Sequence, residues 1–159
     1  MLPSGDSLGR GVRAWSVPLI CGASLCFGLF WTAGVLLEEI TRLNTPAWAL
    51  APPSLLLAVA VVWLPARRRP GRWSLPTDAS LWRVAAAFVF YTVAGYVALT
   101  PLCWLLGKVL VLTTWPDPNH SQAGLFALIL ALWLPCWWAP GLGALVALWY
   151  ARRRWGTRR

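Results

Sequence analysis

The stretch at residues 81–115, LWRVAAAFVFYTVAGYVALTPLCWLLGKVLVLTTW, limits the possible folds more than any other part of the chain. Between Val84 and Leu112 its one charge is Lys108, the only lysine in the sequence. A helix needs about 20 apolar residues to cross the hydrocarbon of a bilayer, and this run exceeds that. Water offers so long an apolar surface no stable place, so lipid is its expected solvent.

Three further runs share that character, and the sequence predicts transmembrane helices over residues 14–37, 47–64, 83–112 and 123–150. Composition agrees: 58% of residues are hydrophobic and 12% charged, where a soluble domain carries about 25% charged residues. The expected fold class is all-α, an integral membrane four-helix bundle. One membrane domain at residues 14–150 is flanked by a polar tail at 1–13, read as flexible, and a basic tail at 151–159. A secretory signal peptide is the rival reading of the first run, but its apolar region would be about 7–15 residues long.

Prolines complicate three of the runs. Pro52-Pro53 interrupts the second early, so that helix is expected either to kink there or to begin deeper than its neighbours. Pro101 is expected to bend the third run or end its first part. Pro135 and Pro140 free the carbonyls of Ala131 and Cys136 in the fourth; such groups are most simply satisfied by neighbouring hydroxyls while the helix bends. In the polar segment before the third run, Thr77 or Asp78 is the expected helix cap.

Charge sets the threading. With four spans, the tails and the 67–83 segment share one face and collect Arg10, Arg13, Arg67, Arg68, Arg69, Arg72, Arg83, Arg152, Arg153, Arg154, Arg158 and Arg159. The other face has Arg42 and Lys108 alone. Positively charged loops stay in the cytoplasm, so both termini are expected there, in a multi-pass protein of a cell membrane, on composition a bacterial inner membrane. Trp15, Trp63, Trp82 and Trp149 would mark the inner interface and Trp48 and Trp115 the outer one. Trp104, Trp133, Trp137 and Trp138 fall deeper, where their indole N–H groups need partners.

Arginines that flank apolar runs, without interleaved aromatics, exclude a nucleic-acid partner. Arg67, Arg68, Arg69, Arg72, Arg152, Arg153 and Arg154 are instead expected to contact anionic lipid headgroups. Small residues four apart, Ser24, Gly28 and Thr32 in the first run and Ala139, Gly143 and Ala147 in the fourth, are expected helix-packing faces. Such faces point to other membrane protein subunits as partners.

Lys108 lies 24 residues beyond Val84, about 36 Å at roughly 1.5 Å per residue, which lifts it past a hydrocarbon core of about 30 Å. Glu38 arrives at a similar height. Glu38, Glu39, Arg42, Lys108, Asp117 and His120 thus form an expected polar cluster on the outer face, with Lys108 paired to Glu38 or Glu39.

One histidine excludes bis-histidine haem and HExxH metal sites. No GxSxG, phosphate-loop or dinucleotide glycine motif occurs. Cys21, Cys26, Cys103 and Cys136 form no CxxC pair and are read as small apolar side chains. No cofactor, metal or enzymatic activity is expected. The sequence reading is an accessory or structural subunit of a larger membrane complex, with a homo-oligomeric small transporter or channel subunit as the alternative.

Overall fold

The computed structural model describes residues 5–41, 47–114 and 121–155, with side chains described at 11–37, 49–113 and 124–155. The elements are α1 (Gly5–Thr41), α2 (Ala47–Ala58), a π turn (Val59–Trp63), α3 (Leu64–Arg68), a 3-10 turn (Pro70–Arg72), α4 (Leu81–Thr114) and α5 (Ser121–Trp155). No strand occurs among the described residues. Four spans are long and apolar enough to cross a membrane: Gly11–Leu37, Ala49–Arg68, Leu81–Thr113 and Gly124–Trp155.

The helices outrun the apolar segments that announce them. α1 starts at Gly5, inside the stretch expected to be a flexible tail. Its early turns are tethered, because the Arg13 carbonyl accepts a hydrogen bond of 2.9 Å from Leu75 N–H and an Arg13 guanidinium N–H donates to Pro76 O at 3.4 Å. Pro18, Pro52, Pro53, Pro101, Pro135 and Pro140 all lie inside helices that continue through them. Pro101 therefore does not end the first part of α4. Where no water competes for backbone groups, a helix that loses one hydrogen bond still keeps the others.

The second span departs most from expectation. Its irregularity is at Val59–Trp63 rather than at Pro52-Pro53. Pro65 follows that turn, has no N–H for Val61 O, and would push its ring into that carbonyl in a regular helix. The widened turn relieves the clash, and Leu64 N–H reaches back five residues to Val59 O. The span is 20 residues long, about 30 Å at roughly 1.5 Å per residue, so it matches the hydrocarbon thickness.

After α3 the chain does not turn straight into α4. Trp73, Leu75 and Ala79 pack beneath the other helices in one apolar cluster with Val17, Val84, Leu148 and Ala151. Neither Thr77 nor Asp78 caps α4, which begins at Leu81; Thr77 Oγ1 donates to Asp78 at 3.0 Å instead.

That crossover sets the spatial order. α1 packs against α2 on one side and α5 on the other, and α5 packs most extensively against α4. Among the described residues α1 meets α4 only slightly, and α2 makes no substantial contact with α4. The four spans thus stand in an open row, α2–α1–α5–α4, rather than in a closed ring.

One stripe holds α5 in that row. Ala127, Ala131, Pro135, Ala139, Gly143, Ala147 and Ala151 recur every four residues and all are buried. A Cβ on Gly107 of α4 would lie 2.8 Å from Ala127 Cα, and one on Gly143 would lie 2.2 Å from Thr92 Oγ1. The backbones of α4 and α5 approach this closely only because those side chains are absent. The outward face of α4 carries Trp82, Phe90, Val97 and Leu102, each more than 60% exposed, a surface suited to lipid and not to water.

Candidate functional site

Interior polar groups join helices. Pro140 cannot donate to Cys136 O, and the next residue, Gly141, whose regular helical acceptor is Trp137 O, donates its N–H to Ser24 Oγ at 3.0 Å. The Ser24 hydroxyl donates in turn to Trp137 O. One serine of α1 is thereby inserted into the hydrogen-bond ladder of α5, and the thiol of Cys21 points at Gly141 O from 3.7 Å. Four residues along, a Cβ on Gly28 would stand 2.7 Å from Trp138 Cε2. Trp138 lies across that glycine, and its Nε1–H donates to Thr32 Oγ1 at 3.1 Å. Ser24, Gly28 and Thr32 thus face α5. Ala139 and Gly143 face α4, at Gly95 and Thr92, and Ala147 lies in the cluster beneath.

Beside that seam, Phe27 stacks on Trp137 at 5.3 Å between centroids, and Trp31 meets Trp133 edge-on at 5.7 Å. Trp137 stands 5.9 Å from Trp133 and 6.3 Å from Trp31. The rings meet in the offset and edge-on geometries aromatic pairs favour, while Phe27, Trp31 and Trp133 remain exposed. Trp137 Nε1 is buried without a hydrogen-bond partner.

The expected outer cluster is only partly in view. Lys108 is half-buried, with its ammonium 5.6 Å from the centre of the Trp104 ring. Arg42, Asp117 and His120 lie outside the described residues, as do the side chains of Glu38 and Glu39, which belong to α1. A Lys108–Glu38 pair therefore falls there too. No three His, Cys, Asp or Glu side chains gather among the described residues.

The arginines at the opposite end divide into two sets. Arg68, Arg69, Arg72 and Arg152 line a cavity of about 630 Å³, walled also by Ala60, Leu64, Pro65 and Trp73. Its lining holds four positive charges and no acid. The Arg152 guanidinium donates to Gly71 O at 2.6 Å, tying the end of α5 to the 3-10 turn. Arg153 and Arg154 point elsewhere: Arg153 lies 5.3 Å over Trp149, and Arg154 donates to Tyr150 OH at 2.6 Å. Arg67 is exposed and outside the cavity lining.

Below the arginines the surface turns apolar. A second cavity of about 220 Å³ shares Trp73 as a wall and is lined by Val61 and Val62 of the π turn, Leu25 of α1, and Leu142 and Leu145 of α5. The π turn thus serves both cavities. Sequence reading marked the arginines but missed the turn, whose one signal was Pro65 at the end of an apolar run.

Four apolar spans, polar groups spent on helix–helix joints and an arginine-rich end describe a small multi-pass membrane protein. No protein-family model, curated protein or solved structure matches the chain.

Proposed function

We propose that this protein works by association, as an accessory or structural subunit of a larger membrane complex, with its arginine-bearing ends in the cytoplasm of a bacterial inner membrane and against anionic headgroups. The observation that carries this reading is the open row. In a closed ring each helix has two neighbours within the chain, whereas here α2 and α4 each keep a flank that no other span of the chain covers. On α4 that flank includes Val89, Phe90, Val93 and Val97, all exposed and apolar. A helix of another subunit suits such a flank. The polar groups of the interior act as fasteners, which agrees with a role without chemistry of its own.

Extraction of the full chain in mild detergent, with size measurement and mass spectrometry of co-purifying chains, tests the proposal. A defined hetero-complex is expected. A pure homo-oligomer would instead support the transporter or channel reading, with Lys108, Glu38 and Glu39 near its mouth.

A further inference from the structure

We propose that the arginine cavity and the apolar groove beneath it seat one anionic phospholipid. Its phosphate lies among Arg68, Arg69, Arg72 and Arg152, and an acyl chain passes Trp73 into the groove between α1, the π turn and α5. The proposal deepens the headgroup reading above and rests on it. The subunit reading stands or falls separately.

Four arginines from two separate segments of the chain converge on one cavity. Arg72 is close enough to Arg152 to repel it, so the site is held together against its own charge. Arg152 spends one N–H on Gly71 O and keeps the rest of its five donors for a ligand. Guanidinium groups match phosphate oxygens in paired, parallel hydrogen bonds, and a phosphate here would cancel the repulsion. At about 630 Å³ the cavity is of ligand size.

A soluble phosphate would need only the arginines. Ala60, Leu64 and Trp73 give the cavity an apolar wall, and across Trp73 lies a groove lined almost wholly by carbon. Charge above and hydrocarbon below is the pattern of a lipid lying at a membrane surface. The π turn gives the groove its shape, since Val61 and Val62 face it from the widened segment while Ala60 and Leu64 face the arginines.

The full chain, purified in an uncharged detergent, is offered equal amounts of phosphatidylglycerol and phosphatidylcholine with matched acyl chains, and bound lipid is counted by native mass spectrometry. One phosphatidylglycerol per chain is expected, preferred by about tenfold or more, the scale of a few charge contacts. Arg72→Gln with Arg152→Gln should abolish the preference. Arg67→Gln with Arg153→Gln, the same charge change outside the cavity, should leave it unchanged. Leu145→Trp fills the groove with every arginine intact and should also lower retention; it decides the matter alone if the Arg72/Arg152 variant fails to fold. Equal loss from the two arginine pairs would overturn the proposal in favour of diffuse surface charge. Retention unaffected by Leu145→Trp would overturn it, and displacement of the lipid by inorganic phosphate would assign the arginines to a free-anion site instead.

Discussion

Gly141 N–H and Trp137 O, which a regular helix would pair, are bridged by a hydroxyl from another helix. Ser24→Ala would remove the hydroxyl that meets both backbone groups in an apolar interior. The expected cost is about 1–2 kcal/mol, read as a lower melting temperature in detergent, with unchanged melting as the contrary result. Thr32→Val should be milder, since it strips one acceptor from Trp138 Nε1 and keeps the shape. The spacing of Ser24, Gly28 and Thr32 was legible in the sequence because small residues four apart stand out among large ones. Their partner was not. Trp138 was one of four deep tryptophans whose indole N–H groups need partners, and nothing local says which of them lies across a glycine notch. The outer cluster is a different case: Lys108 rests over Trp104, and the acids assigned to it lie outside the described side chains.

Among whole elements, α4 and α5 show why apolar periodicity says little in lipid. Their packed and outward faces are equally hydrophobic, so only residue size separates them. Six small residues and Pro135 run along α5, yet only Ala139, Gly143 and Ala147 stood out, because Ala127 and Ala131 sit among leucines that look the same on either face. The contact at Gly107 gives a direct check. Gly107→Val would drive a branched side chain into Ala127, whose Cα lies 2.8 Å from even a Cβ at position 107, and should lower stability by about 1–3 kcal/mol in a melting experiment. Gly124→Val, with nothing within 4 Å of its Cβ, should change little; equal effects at the two glycines would contradict the packing described. The second span teaches a related lesson. A proline early in a helix was absorbed, whereas Pro65, near the end of the span, follows a π turn. Proline position alone does not say which neighbour will yield.

For the molecule as a whole, the number of spans was legible because charge marks their ends. Their order in space was not. Consecutive helices usually pack side by side, but the segment after α3 passes beneath α1 and α5, held by Leu75 N–H on Arg13 O and by Arg152 on Gly71 O. Those contacts join residues far apart in sequence, and no local pattern announces them. They also gather Arg13, Arg68, Arg69, Arg72 and Arg152 at one end of the row, and the headgroup reading, the lipid seat and the subunit proposal all require that end to lie at one membrane surface. The most direct measurement is labelling of single cysteines by a membrane-impermeant thiol reagent, in intact cells and in inverted vesicles, after the four native cysteines are replaced. Asp78→Cys and Arg158→Cys should be labelled only from the cytoplasmic side, and Asn44→Cys and Asn119→Cys only from the outside. Labelling of positions 78 and 158 from opposite sides would contradict the four-span account and everything built on it.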